Sequence, residues 1–183
     1  MTQGDLTQEK ESVSNNFIGI GGITEEQHAN TGFVKVTGKC EVILTDADGK
    51  VVHEETYNNI ITSAGKAAIA GLVGNTGGLT AFSYLAVGTS ATTPVVGDTA
   101  LGGEISTNGL GRASGTVTRQ TTTYTNDTLK IAYTWTASGA STVQEAGILN
   151  AASAGTLLSH LLIGPVTTSN GFQLTLNYTV QFS

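Results

Sequence analysis

The sequence is poor in charge, cysteine, proline and aromatic residues. Only 12% of its 183 residues are charged, against about a quarter in an average soluble protein, and it holds one cysteine and two prolines. A single cysteine excludes an intramolecular disulfide framework. The eight basic residues are scattered, and the formal net charge is −6. Because phosphate neutralisation requires clustered Lys and Arg, we expect no nucleic-acid partner.

Signals for membranes and export are also missing. No apolar run approaches the roughly 20 residues that span a bilayer, so we expect no membrane partner. The opening residues, "MTQGDLTQEKESVSNN", lack the basic and apolar regions of a signal peptide. We therefore expect a protein that is made in the cytoplasm without a signal peptide.

The abundant residues are 30 threonines and 24 glycines, and they accompany a pattern of short strands. Asp48-Gly49, between two apolar runs, predicts a tight hairpin, and this interpretation outweighs a calcium loop because "DADGK" lacks the later ligands. Apolar and polar residues alternate from 129 to 137 and from 172 to 182, which predicts strands with one buried face. Residues 62–73 predict one helix, since Thr or Ser can cap its start and Gly74 follows its end.

These elements predict the fold class. About eight strands and one short helix favour an all-β protein, an antiparallel β-sandwich that is jelly-roll-like and preceded by an extended N-terminal arm. We expect the arm to comprise residues 1–32 and the β-sandwich domain residues 33–183. The arm carries one short apolar segment, which we expect to dock on neighbouring subunits. Its candidate contact residues are Phe17, Ile18, Ile20 and Ile23.

The residues offer little for metal or cofactor binding. His28, His53 and His160 lie far apart in the sequence and have no spacing typical of metal ligands. The glycine motifs "GIGG" and "GLGRASG" do not have the spacing of a dinucleotide-binding loop. We expect no metal and no cofactor.

Two carboxylates, Glu104 and Glu145, are the candidates for the acid pair of a glycoside hydrolase, because most other acids fall in the arm or the first hairpin. A buried carboxylate is rare without a partner. The alternative is that each carboxylate accepts hydrogen bonds from backbone amides or from Arg112 or Arg119. We favour this structural alternative and expect no catalytic residue.

Several segments resemble a family of tailed-bacteriophage virion proteins. They are "YLAVGTSATTPVVGDTALGGEI", "EAGILNAASAGTLLSHLL" and the closing "LTLNYTVQFS", preceded by "DADGKVVHEETYNNIITSAGKAAIAGLV". The family carries a strand ending in "VGT", a Thr/Pro loop, an Asp-Thr-x-Leu-x-x-Glu segment, Glu-Ala-Gly, an Asn turn and a closing strand. The resemblance covers about residues 32–183 and implies a structural motif without a catalytic role. Its residues are Gly88, Thr89, Leu101, Glu104, Glu145, Ala146 and Gly147.

The resemblance implies a non-enzymatic part of a virion, most simply one that decorates or cements the capsid surface. Its partners would be major capsid or tail proteins and copies of itself. The alternative is a tail or fibre component that anchors to the virion or binds host surface glycans. Glycan sites usually present exposed aromatic rings, whereas the alternation places Tyr133, Trp135 and Tyr178 in the core, which weakens the adhesion hypothesis. A polysaccharide hydrolase is favoured least, because the residues alone do not place two acids opposite each other across a cleft.

Overall fold

Residues 34–183 are described by a computed structural model of the chain. They form ten strands and one helix. In chain order these are β1 (Val36–Thr45), β2 (Val51–Asn58), β3 (Ile60–Ile61), α1 (Ser63–Val73), β4 (Tyr84–Gly88), β5 (Ala113–Ser114), β6 (Thr116–Gln120), β7 (Thr128–Thr136), β8 (Ser141–Leu149), β9 (Leu157–Thr168) and β10 (Gln173–Phe182).

Two antiparallel sheets pack together. The first sheet has the strand order β2-β1-β10-β7-β6, and the second has the order β3-β9-β8-β4-β5. The strands alternate as their sequences predict: in β10, Leu174, Leu176 and Tyr178 are buried, and the residues between them face outward. The prediction of an all-β antiparallel sandwich with one short helix is confirmed.

The hairpin between β1 and β2 is held by its turn residues. The Asp46 side chain accepts hydrogen bonds from the backbone N–H groups of Asp48 and Lys50 at 3.0 and 2.9 Å. Gly49 has a φ of 85°, a conformation that glycine adopts without a steric penalty. The Asp46 carboxylate therefore holds the turn between β1 and β2, and the predicted hairpin is confirmed.

Helix α1 begins and ends where its capping residues predict. The Thr62 hydroxyl accepts a hydrogen bond from the Gly65 N–H at 2.8 Å, and Gly74 follows the last helical residue. The same hydroxyl donates to the Leu157 carbonyl of β9, which ties the helix start to the second sheet. A Cβ at Gly65 would approach the Leu158 backbone to 2.5 Å, so glycine allows α1 to lie directly on β9.

Aromatic residues fill the core between the sheets. Trp135 is 2% exposed, and its indole N–H donates to the Gly111 carbonyl at 2.7 Å. Tyr178 is fully buried, with its hydroxyl 2.7 Å from the Ser159 hydroxyl. Tyr133 is half-buried and meets Trp135 edge-on, with the ring centroids 4.8 Å apart. Trp135 and Tyr178 are core residues as predicted, and Tyr133 lies at the margin of the core.

The number of strands differs from the expectation. The sequence predicts about eight strands, whereas residues 34–183 contain ten, because β3 and β5 have two residues each and are too short to show an alternation. No helix within this range is long and apolar enough to cross a membrane. The predicted arm, residues 1–32, with Phe17, Ile18, Ile20 and Ile23, lies outside the described residues.

Candidate functional site

Glu145 on β8 is a fully buried carboxylate with a complete set of partners. One carboxylate oxygen, Oε1, accepts hydrogen bonds from the backbone N–H groups of Gly103 at 2.6 Å and Ser90 at 3.3 Å. The other oxygen, Oε2, accepts from the Gly102 N–H at 2.9 Å. These three backbone donors replace the water that the carboxylate loses on burial. The predicted pairing of Glu145 with backbone amides is confirmed.

His160 on β9 extends this cluster toward the surface. Its Nε2 lies 2.9 Å from Glu145 Oε2, and its Nδ1 lies 2.7 Å from Asp98 Oδ2. Three side chains, from β8, β9 and the loop after β4, thus form one hydrogen-bonded chain that runs from the buried Glu145 to the partly exposed Asp98.

Asp98 closes the outer end of the chain, and its side chain is 23% exposed. The Val95 N–H donates to Asp98 Oδ2 at 2.9 Å. This hydrogen bond, together with the bond and the charge of His160, holds the pKa of the Asp98 carboxyl below its usual value. The contact between Asp98 and His160 therefore fastens the loop after β4 to β9, a strand far from the loop in the sequence.

Gly88 is required by the position of the Glu145 carboxylate. It pairs with Glu145 across β4 and β8 and forms an isolated bridge to Glu104 on its other side. A Cβ at Gly88 would overlap the carboxylate of Glu145. Glycine at the end of β4 therefore leaves the space into which the buried acid folds.

The other residues of the family-like motif surround the same loop, residues 89–104. The Thr89 N–H donates to the Gly103 carbonyl at 2.8 Å. Leu101 is buried in a small apolar cluster, and a Cβ at Gly147 would meet its side chain at 3.1 Å. Ala146 belongs to the main core. The structure thus brings the seven motif residues together at one end of β4 and along β8.

Glu104 is bound separately from Glu145. The Arg112 guanidinium donates to both oxygens of Glu104, with Nε–Oε1 and Nη2–Oε2 distances of 2.8 and 2.6 Å. The third guanidinium nitrogen donates to the carbonyls of Ala151 and Ala154, in the turn between β8 and β9. Arg112 is one of the two arginines that the sequence analysis allows as a partner, the other being Arg119. Its bidentate contact with Glu104 and its bonds to the β8–β9 turn link two loops.

The imidazole of His160 has a carboxylate on each side. Both ring nitrogens of His160 face carboxylates, so neither is directed at a hydroxyl or thiol nucleophile. The thiol of Cys40 is fully buried, and this burial, followed by the nearby Glu41, raises its pKa above the usual value. Among residues 34–183, no group of three or more His, Cys, Asp or Glu side chains is placed to hold a metal ion.

An apolar groove lies beside α1. It has a volume of about 310 Å³. Two of its side chains are exposed, Val73 at 85% and Val117 at 46%. Its lining is apolar throughout and consists of Ile69, Leu72, Val73, Ala81, Phe82, Val117, Leu129, Leu158 and Phe182.

The sequence analysis missed the partnership of His160 and Asp98 with Glu145. The residue pattern presents His160 only as a candidate metal ligand and Asp98 only as the first residue of the Asp-Thr-x-Leu-x-x-Glu segment. The Asp98–His160 contact joins residues 62 positions apart, and no local pattern marks such a pair. The one available signal was that an acid and a histidine occupy apolar strands, where each requires a partner.

Comparison with protein-family models, with curated proteins and with solved structures found no match for the chain.

Proposed function

We propose that this protein is a non-enzymatic structural component of a tailed-bacteriophage particle, where it decorates or cements the capsid surface. The proposal starts from the sequence resemblance. The observation that carries it concerns two of the motif residues. Gly88 and Glu145 build a closed cluster that fastens the loop 89–104. A loop that is fixed in this way suits a protein whose role is to present a rigid surface to neighbouring proteins.

The chemistry of the two candidate acids supports a non-enzymatic role. A glycosidase needs two carboxyl groups that face one cleft, one of them free to protonate the leaving oxygen. Here Glu145 has no exposed surface and four hydrogen-bond partners, and both oxygens of Glu104 accept hydrogen bonds from Arg112. Glu145 is therefore out of reach of a bound sugar, and Glu104 is engaged in an ion pair.

The surface composition favours an assembly part. Threonine side chains lose little conformational entropy when a neighbour packs against them, in contrast to Lys and Glu, and charged residues make up only 12% of this chain. A capsid protein or another copy of this chain would cover the apolar groove beside α1. Many such contacts, each weak, become effectively permanent when one particle presents them all.

The test is immunogold labelling of intact particles of a phage that encodes this protein, with antibodies raised against residues 34–183. Regular gold labelling over the capsid is expected, and antibody pre-absorbed with purified protein is the control. Labelling confined to the tail would contradict a capsid location and favour the alternative, a tail or fibre component. Particles without any label would contradict the virion assignment itself.

A further inference from the structure

The apolar groove beside α1 continues into a second depression that carries positive charge. This depression has a volume of about 480 Å³ and shares Ile69 with the groove. Val36 of the depression also pairs with Phe182 of the groove, across β1 and β10. The two depressions therefore adjoin, and we call them together the α1 surface. The lining of the second depression consists of Val34, Lys35, Val36, Lys66 and Ile69.

The α1 surface exposes apolar side chains to solvent. Val34 in the second depression is 71% exposed, and Val73 and Val117 in the groove are 85% and 46% exposed. Single exposed valines are ordinary, but several that border one groove mark a surface that another molecule covers. Because the lining of the groove is apolar throughout, the part of the partner that enters it must be apolar as well.

The charge of the α1 surface is of one sign. Lys35 and Lys66 are exposed and line the second depression, and among residues 34–183 no acidic side chain lines either depression. The chain as a whole has 14 acidic and 8 basic residues, so this local excess of positive charge runs against its average. A partner that complements the α1 surface therefore carries apolar side chains next to negative charge.

One stretch of the chain outside the described residues has this composition. Residues 17–26 read "FIGIGGITEE", in which one phenylalanine and three isoleucines are followed, after a threonine, by two glutamates. The large apolar side chains suit the groove, and Glu25 and Glu26 match Lys35 and Lys66 in number and are opposite in sign. Because the acids follow the apolar residues so closely, one segment can cover both depressions.

The point at which the described chain begins supports this occupant. Val34 is the first described residue and lines the second depression, and residues 27–33 join it to Glu26. A chain spans at most about 3.3–3.6 Å per residue, so residues 27–33 can reach across roughly 25 Å to the α1 surface of an adjoining copy. Two copies that exchange their segments make two identical contacts with two-fold symmetry, the commonest arrangement in homo-oligomers.

We propose that the α1 surface is the docking site for residues 17–26 of a neighbouring copy of this chain. The choice of a neighbouring copy rests on the proposed function, in which copies lie side by side on a particle and each docked segment links two of them. The gold labelling of particles uses antibodies against residues 34–183 and is independent of this contact. Failure of either test therefore leaves the result of the other standing.

The test is disulfide exchange between two full-length chains that carry different substitutions. In the first chain, Ile20→Cys introduces a thiol into the apolar segment, and this thiol is converted to its mixed disulfide with thionitrobenzoate. In the second chain, Val117→Cys introduces a free thiol into the groove. Attack of the groove thiolate on the mixed disulfide links the two chains and releases the coloured thionitrobenzoate anion, whose absorbance gives the rate. Since each chain holds one half of the pair, the reaction reports contact between copies.

The control variant is Val52→Cys in place of Val117→Cys. Val52 is 48% exposed, against 46% for Val117, and it lies on the opposite edge strand of the same sheet and lines neither depression. We expect exchange with Val117→Cys to be about tenfold faster or more, because docking holds the two reacting groups at a high effective concentration. The wild-type chain gives the background, since its thiol at Cys40 is fully buried. Equal rates for the two variants would overturn the proposal.

Charge reversal tests whether the segment is recognised by its acids as well as by its apolar residues. Lys35→Glu/Lys66→Glu in the chain with the groove thiol should slow the exchange about tenfold, because like charges then face each other. Glu25→Lys/Glu26→Lys in the chain with the segment thiol should restore the rate. Circular dichroism checks the fold of each variant, which substitution of the two exposed lysines should not alter. Fast exchange that is insensitive to both reversals would overturn residues 17–26 as the specific occupant.

Discussion

Replacement of Glu145 by Gln tests whether the buried cluster stabilises the fold. The substitution keeps the shape of the side chain but turns one accepting oxygen into an NH2 group, which can only donate. At the Oε1 position, this group would face the N–H groups of Gly103 and Ser90. At the Oε2 position, it would face the Gly102 N–H and the ring of His160. Two backbone donors lose their acceptor in the first orientation and the Gly102 N–H loses it in the second, so either orientation leaves at least one buried donor without an acceptor.

The expected loss of stability follows from these contacts. A buried donor left without a partner costs about 1–3 kcal/mol. We therefore expect Glu145→Gln to lower the free energy of unfolding by about 1–3 kcal/mol.

Urea unfolding gives the measurement, with the fluorescence of Trp135, the single tryptophan of the chain, as the probe. The midpoint should fall while the dependence on urea concentration stays the same. Glu54→Gln is the control, because Glu54 is an exposed acid on β2 and its replacement should change stability by less than about 0.5 kcal/mol. A loss below about 1 kcal/mol for Glu145→Gln would refute the argument that the closed cluster holds the loop.

Three further outcomes are expected. Trp135→Ala should cost about 3–5 kcal/mol through the cavity it leaves, whereas Tyr124→Ala on the exposed turn should cost less than about 0.5 kcal/mol. Urea unfolding of both variants is followed by circular dichroism, because Trp135→Ala removes the single tryptophan. The pKa of the Asp98 carboxyl is lowered in the folded protein. The ionised carboxylate therefore stabilises the fold above pH 3.8, the ordinary pKa of this group, and the stabilisation is lost as the pH falls through the lower pKa of the folded protein. Asp98→Asn should therefore flatten the acid side of the stability curve, and Asp48→Asn, in the exposed hairpin turn, should not. Deletion of residues 1–32 should leave the melting temperature of the remaining domain nearly unchanged but prevent its incorporation into particles that lack the protein, and equal occupancy would contradict this.

The elements that the sequence predicts are those with local signals. The hairpin is specified by Asp46 and Gly49 within a few residues, and α1 is specified by Thr62 at its start and Gly74 after its end. The long alternation of β10 identifies its buried face without any knowledge of its neighbours. The order of the strands has no such signal, because it depends on which distant strands cover each other's apolar faces.

The candidate site is predictable only in part, for the same physical reason. A buried carboxylate requires partners, and this rule predicts that each of the two acids binds backbone amides or an arginine. The structure gives backbone amides to Glu145 and Arg112 to Glu104. Nothing in the rule says which residues supply them. The contact between Asp98 and His160 arises from the way the loop after β4 lies against β9, and only the folded chain shows it.

The position of β10 has a consequence for how the chain folds during synthesis. β10 lies at the centre of the first sheet, between β1 and β7, although it follows the other nine described strands in the chain. A ribosome releases β1 and β7 first, so each emerges with an unpaired inner edge and must wait for β10. Pairings such as Val36 with Phe182 join distant residues and form slowly. The nascent chain therefore carries open strand edges until translation passes β10, and chaperones that shield such edges would act on it during this interval.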